Sequence, residues 1–239
     1  MDQSAKAVTL RRLHLEPQLL VLPNAWDVAS AKELAAIPGC SALATTSAAV
    51  ARSLGWEDGD QAPVEEMLRV NERIAAAVDL PVTGDLEHGY GDPVGTARHA
   101  WGAGLVGINF EDSTDEGHVP LEEQVEMIRA IRDAVPELVI NARIDVFLRN
   151  TGGTEQAVER GNAYLDAGAD CVYPILCPVT AVADLAGRID GPINVLVIPG
   201  MPEPHELQSL GVARMTWGSG LATAAYAEAV RVAATALRP

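Results

Sequence analysis

Residues 106–145, VGINFEDSTDEGHVPLEEQVEMIRAIRDAVPELVINARID, decide the fold class. They open on an apolar, β-rich run (VGINFED, 106–112), pass through an acid-led segment of helical period (PLEEQVEMIRAIRDAV, 120–135) and close on a second apolar run (LVINARID, 138–145). Near-continuous apolar strands on either side of a helix describe a βαβ unit, since parallel strands are covered on their outer face and show no polar alternation. Working outward, the same run recurs as LLVLPNA (19–25), SALATTS (41–47), LPVTGDLE (80–87), CVYPIL (171–176), INVLVI (193–198) and ARMTWG (213–218), which makes eight in all. Helical periods fill the gaps, as in 62–78 and 154–168. Eight βα units in 239 residues match an α/β fold of the (β/α)8 TIM-barrel class, whereas a doubly wound sheet normally uses fewer strands. Segment 4–16 reads as an extra N-terminal helix and the Ala-rich 219–237 as the last helix. No Pro-, Gly- or Ser-rich linker interrupts the pattern, so 1–239 reads as a single barrel domain.

Composition narrows the function. Apolar residues at 48% against 21% charged argue against disorder, and no apolar run approaches the ~18 residues that a bilayer span needs. The 33 acidic residues outnumber the 17 basic ones, and a formal charge of −16 repels phosphate backbones and anionic lipid, so neither nucleic acid nor membrane is an expected partner. The start, MDQSAKAVTLRRLHLE, lacks the apolar stretch and cleavage site of a secretory signal, which leads to an expectation of a cytoplasmic protein. Cys40, Cys171 and Cys177 are odd in number, widely spaced and set in apolar surroundings, so they read as reduced core residues. There is no GxSxG elbow, no GxxxxGK[ST] loop and no GxGxxG at a strand-to-helix junction, which argues against a serine hydrolase, a P-loop enzyme and a Rossmann dehydrogenase.

Barrel chemistry stands at the carboxyl ends of the strands. Those ends carry Asn24, Trp26 and Asp27; Thr45, Thr46 and Ser47; Asp85 and Glu87; Glu111 and Asp112; Arg143 and Asp145; Tyr173; Asn194; and Trp217. Asp27, Asp112 and Asp145 read equally well as caps of the following helices. In GDLEHGYGDP (84–93), Asp85 and Glu87 are two apart, so an extended strand would turn both to one side, with Glu111 at the matching end of the next strand. Three carboxylates at one mouth repel one another unless a cation sits among them, and oxygen-only donors suit Mg²⁺ or Mn²⁺; the alternative is three solvated loop acids in an acidic protein. His88 alternates to the opposite side and reads as a loop residue, and Gly89 and Gly91 permit a tight turn. Arg143 is a cation in this acidic mouth, suited to a substrate carboxylate or, alternatively, to a structural salt bridge with Glu111 or Asp145.

The ordered motifs LPNAWD, ALATTSAAVARSLGWEDGD, VTGDLEHGYGDP, GINFEDS, NARIDVF, GADCVYP and INVLVIPG resemble the isocitrate lyase and phosphoenolpyruvate mutase superfamily over about residues 19–220. The resemblance implies a direct Mg²⁺ ligand at Asp85, with Glu87 and Glu111 acting partly through water. It also implies a substrate wall at Trp26, Thr46, Ser47 and Ala48, with Asp85 beside it. It assigns Asp58 to approach the substrate, Arg143 to contact its oxygens and Asn194 to a distal polar position. Homotetramers with C-terminal helices packed between subunits are implied for 219–237. Lyases of the group carry a Cys-bearing mobile loop after the position of Glu111, and the mutase branch a Lys and an Asn; here the segment is EDSTDEGHVP, in which Gly117 and His118 alone echo the pattern.

The chemistry so implied is an enolate formed from a small 2-oxo or 2-hydroxy dicarboxylate, with no organic cofactor. Decarboxylation of oxaloacetate asks least of the altered loop, with Arg143 stabilising the charge and His118 available to protonate carbon. The alternatives are carbon–phosphorus chemistry on phosphonopyruvate with Asp58 taking part, and a non-catalytic 2-oxo acid binding protein.

Overall fold

The computed structural model describes residues 2–59 and 61–237. Helix α1 (Gln3–Leu13) leads into β1 (Leu20–Leu22), β2 (Asn24–Ala25), α2 (Val28–Ala35), β3 (Leu43–Thr45), α3 (Ser47–Leu54), α4 (Val64–Ala76), β4 (Val82–Asp85), α5 (Pro93–Gly102) and β5 (Gly107–Phe110). A hairpin of β6 (Ser113–Thr114) and β7 (Gly117–His118) precedes α6 (Leu121–Ala134) and β8 (Val139–Ile144). The chain then runs through α7 (Thr154–Asp166), β9 (Cys171–Pro174), α8 (Val179–Arg188), β10 (Asn194–Leu196), α9 (Pro204–Ser209), β11 (Arg214–Thr216) and α10 (Gly220–Leu237).

All eight expected runs contain strand, and the core is a parallel β-structure flanked by helices. A single closed eight-stranded sheet is not what the pairing gives. Hydrogen bonds divide the strands into a parallel six-stranded sheet, ordered β2-β3-β4-β5-β8-β9, and a parallel three-stranded sheet, ordered β1-β11-β10. The first run is split at Pro23, which has no N–H for the ladder, and so contributes β1 to one sheet and β2 to the other. One isolated bridge, Val172 to Ile193, joins the far edges.

Helices are set by period. Met67, Asn71 and Ile74 of α4, and Gln124, Ile128 and Ile131 of α6, recur at i, i+4 and i+7 and, with Ala75 of α4, are the buried positions of those helices. They pack on a core that includes Ile108, Phe110, Ile140, Ile144 and Val172. Each fully buried large apolar side chain contributes roughly 1.5–3 kcal/mol. Helix α1 buries Ala7 and Leu10 against Leu20, Leu22, Ala44, Val106 and Val139, and so covers the end of the sheets where most of these strands begin. Asp27 proves to be a cap: its carboxylate accepts the Ser30 N–H at 2.7 Å at the start of α2. Asp112 and Asp145 are not caps; both lie in a buried network described below. The three cysteines are unpaired, and burial pushes the thiols of Cys171 and Cys177 up to about 12 and about 11. Among the described residues no helix is long and apolar enough to cross a membrane.

Candidate active site

The carboxyl end of β4 delivers Asp85 into a cavity of about 330 Å³. Register explains its neighbours: Asp85 pairs with Asn109 on β5, Asn109 with Asn141 on β8, and Arg143 with Tyr173 on β9. Asp85, Asn109, Arg143 and Tyr173 line the cavity together with Asn24, Thr46, Ser47, Ala48, Asp58 and Thr216.

Asp85 is held from several sides. Ser47 donates to its Oδ2 through both the backbone N–H and the hydroxyl, each at 3.0 Å, and Asn109 Nδ2 lies 3.4 Å from Oδ1. Thr46 precedes α3 without capping it, so the Asp85 carboxylate supplies from a neighbouring strand the acceptor that the helix start lacks locally. The Asp85 N–H donates to Thr45 Oγ1 at 3.0 Å, and that hydroxyl donates to Asn71 on α4 at 2.8 Å. Helix α3 stops at Gly55, whose φ of +89° suits glycine, and the chain then returns to the rim at Asp58. Desolvation, and then the Asp85 charge, hold the Asp58 carboxyl above the usual carboxylate range, with a hydrogen bond from Ser47 opposing.

Arg143 shows both readings of its role at once. It lines the cavity, yet Nε and Nη2 bind Asp145 at 2.6 and 3.0 Å and Nη1 pairs with Glu111. These carboxylates hold the guanidinium above its ordinary pKa despite burial. Three of its five N–H groups are engaged, leaving one on each Nη. Glu111 is pushed well above the usual carboxylate range, first by burial, which the Arg143 charge opposes, and further by Asp85, Asp145 and Glu87.

The expected face shared by Asp85 and Glu87 does not form. Strand β4 ends at Asp85, and Glu87 adopts φ +52°, so the two-residue alternation of an extended strand is lost. The Glu87 carboxylate instead accepts the Tyr90 hydroxyl at 3.0 Å. Glu87 and Glu111 line an adjoining space of about 360 Å³ with His88 and the hairpin. Among the described residues no three His, Cys, Asp or Glu side chains gather closely enough to hold a metal ion. Gly89 and Gly91 turn the loop as expected, at φ +86° and +81°, and a Cβ on Gly89 would stand 2.6 Å from the Pro93 Cα.

Three other expectations move. His118 is not at the cavity: its ring nitrogens are buried and have no hydrogen-bond partner among the described residues, with Nδ1 3.9 Å from Asp112. Trp26 packs on the Tyr226 ring at 6.2 Å and on the cluster of Val50, Ala51, Ala62 and Met67, because the chain turns into α2 at that point. Asn194 is fully buried against Thr216, at 3.4 Å, below the cavity lining.

The hairpin is tied down. Ser113 donates to Asp145, and Arg149 reaches the Thr114 carbonyl at 2.6 Å. Asp112 accepts the Asp145 N–H at 2.8 Å, the Tyr164 hydroxyl at 2.7 Å and Arg160 at 3.0 Å. Asn109 and Thr216 were missed by sequence reasoning. Asn109 was hidden inside the apolar run VGINFED, and the one available signal was a polar residue in a buried strand directly after the strand bearing Asp85.

Comparison with known proteins adds three findings. The family model described as phosphoenolpyruvate phosphomutase matches residues 10–237. An uncharacterised protein of Mycobacterium tuberculosis is 38% identical over 90% of this chain and 85% of its own, and the 2-methylisocitrate lyase of Bacillus subtilis is 32% identical over 72% of this chain and 60% of its own. The solved structure of an oxaloacetate acetylhydrolase with the product oxalate superposes with a TM-score of 0.87 at 25% identity, over 98% of this chain and 87% of that one.

Proposed function

The chain belongs to the isocitrate lyase and phosphoenolpyruvate mutase superfamily, and on that premise we propose that it is an enzyme that breaks the bond to C3 of a small 2-oxo acid, leaving the electron pair as an enolate. One observation carries this reading: a fixed carboxylate, Asp85, and a guanidinium, Arg143, line the same small cavity at the strand ends. Within the class, carbon–phosphorus chemistry on a phosphonopyruvate-type acid is the first reading. A family model named for a phosphomutase spans nearly the whole chain, whereas the chain spans only 60% of the curated lyase. In this reading the phosphoryl group passes to water as phosphate, the enolate takes up a proton at C3 to give pyruvate, and Asp58 at the rim takes part. The second reading is carbon–carbon cleavage with oxaloacetate decarboxylation as its simplest case, supported by the hairpin, which has neither Cys nor Lys. Decarboxylation releases CO₂ without prior loss of a proton and needs no base there.

In this proposal the site sits at the mouth of a (β/α)8 barrel, and the Val172–Ile193 bridge and the unbroken chain across Pro23 support joining the two sheets. The substrate carboxylate is bound by the N–H groups of the first turn of α3 that Asp85 leaves open, while the Ser47 hydroxyl stays on Asp85. The remaining Arg143 N–H groups stabilise the developing oxyanion, and the Asp58 carboxyl, held up by desolvation and by Asp85, is the proton-carrying group at the rim. The donor types suit a hard ion although the three carboxylates do not close into one cluster: every candidate ligand is oxygen, and the repulsion at Glu111 from Asp85, Asp145 and Glu87 is of the kind a divalent cation relieves. Mg²⁺ or Mn²⁺ would be held directly by Asp85, with Glu87 and Glu111 acting through water. When bound, it supplies Lewis-acid stabilisation of the 2-oxo oxygen.

Incubation with phosphonopyruvate and with oxaloacetate under Mg²⁺, with pyruvate read by a coupled assay and phosphorus species by NMR, tests the reading. Turnover of phosphonopyruvate supports the first bond type and turnover of oxaloacetate the second. Binding of either acid without turnover favours a 2-oxo acid binding protein, and turnover insensitive to a chelator excludes the metal. We propose further that α10 packs against another copy of the chain in a homo-oligomer. Only Ala222 of that helix is buried, and Val230 and Leu237 are 69% and 82% exposed. A monomer by light scattering at micromolar concentration would contradict this.

A further inference from the structure

A fully buried arginine lies beneath the cavity floor. Interior strand positions of barrel-like α/β folds are dominated by branched apolar side chains. Arg214, the first residue of β11, stands at such a position with no exposed surface. Among the described residues no carboxylate is within ion-pair distance of it, and its Nε has no hydrogen-bond partner. The side-chain groups it touches are neutral: Nη2 donates to Asn109 Oδ1 at 3.2 Å and Nη1 lies 3.5 Å from His14 Nε2. Burying an unpaired charge is costly, so packing alone does not account for a guanidinium here.

The same contacts lead upward to the site. Asn109 Oδ1 accepts from Arg214 and also from Asn141 Nδ2, at 2.8 Å. With both donors on the oxygen, the NH₂ end of the amide points the other way, where it stands 3.4 Å from Asp85 Oδ1. A guanidinium offers no acceptor, so reversing the Asn109 amide would set its NH₂ group against the Arg214 donor, whereas the Asn141 amide could turn to present its own oxygen.

We propose that Arg214 is a positioning residue of the site, locking the Asn109 amide with its NH₂ group toward Asp85 so that the cavity floor presents a donor beside that carboxylate. This rests on reading the cavity as a 2-oxo acid site. The floor then favours an anionic oxygen of the ligand and holds Asp85 in one orientation, at a cost in stability that a residue chosen for packing would not carry.

The test uses the full-length protein and oxalate, whose adjacent oxygens imitate those of a planar 2-oxo acid, in the presence of Mg²⁺. Arg214→Met is expected to melt at or above the wild-type temperature, since a buried unpaired charge leaves with little change in volume. Calorimetric oxalate affinity should fall about 10-fold or more in Arg214→Met and in Asn109→Leu, and no further in the double variant, because both act through one amide. A melting temperature and affinity that fall together in Arg214→Met, an unchanged affinity, or additive losses would each overturn the proposal. Should Arg214→Met not fold, Arg214→Gln keeps a donor without the charge; its oxalate affinity should stay within about 3-fold of wild type, and a loss of about 10-fold would overturn the assignment. If wild-type protein binds no oxalate, the functional reading fails on its own. The Asn109 side-chain NH₂ resonances then decide Arg214: shifted and faster-exchanging signals in Arg214→Met sustain the role, and unchanged signals end it.

Discussion

Ser47 reaches Asp85 twice, with its backbone N–H and its hydroxyl both 3.0 Å from the same oxygen. One carboxylate therefore joins β4 to the start of α3 and faces the cavity at once. Replacing it should affect fold and function together. Asp85→Ala should lower stability by about 1 kcal/mol, as for a lost helix cap. It should also abolish any rise in melting temperature on adding Mg²⁺. A Mg²⁺-dependent shift of wild-type size in Asp85→Ala, read by differential scanning fluorimetry, would show that Asp85 is not the ligand.

Arg143 separates charge from geometry. Arg143→Met leaves Glu111 and Asp145 without their shared cation and should cost about 3–5 kcal/mol in urea unfolding. Arg143→Lys keeps the charge and should lose much less stability. It should still lose about 10²-fold in kcat/KM, because an ammonium cannot reproduce the planar fork. Equal stability losses in the two variants would mean that charge contributes little there.

His14 gives the protein a pH response from beneath the site, behind Arg214. Its Nδ1 bonds the Leu10 carbonyl at 2.8 Å, and burial, followed by the nearby Arg214 charge, brings its pKa down to about 4. In the unfolded chain an imidazole titrates near 6.5. Between these values the unfolded state binds more protons, so the stability present above pH ~6.5 is lost as pH falls toward about 4. The loss amounts to roughly 3 kcal/mol. Urea titrations from pH 7.5 to 4 should show a shallower decline in His14→Gln, and parallel curves for the two proteins would refute the assignment.

The hairpin should matter for stability more than for rate. Ser113→Ala removes a donor to the buried Asp145 and should cost about 1–2 kcal/mol. Thr114→Ala, Asp115→Ala and His118→Ala should change any turnover by no more than about 10-fold, against the ~10²- to 10⁴-fold of a true acid or base. Complete loss of activity in His118→Ala, with the fold intact, would place the ring in the chemistry despite its buried position.

Much was legible in the sequence because it depends on local period. The eight apolar runs, the helices between them and the clustering of polar residues at strand ends follow from apolar continuity and helical spacing, and each run holds a strand. Thr46, Ser47, Ala48, Asp58, Asp85 and Arg143 do line one cavity. What the sequence could not fix depends on dihedral choice and on partners distant along the chain. A positive φ at Glu87 cancels the alternation that placed it beside Asp85. Pro23 divides one run between two sheets, and the choice left open for Arg143, between a substrate carboxylate and a salt bridge with Glu111 or Asp145, is decided for both carboxylates only when β5 brings Glu111 beside β8. Arg214 shows the difference most plainly: a basic residue opening an apolar run gives no sign of burial. Tertiary packing alone closes it beneath Asn109, because interior space on a parallel sheet is shared by strands far apart in sequence.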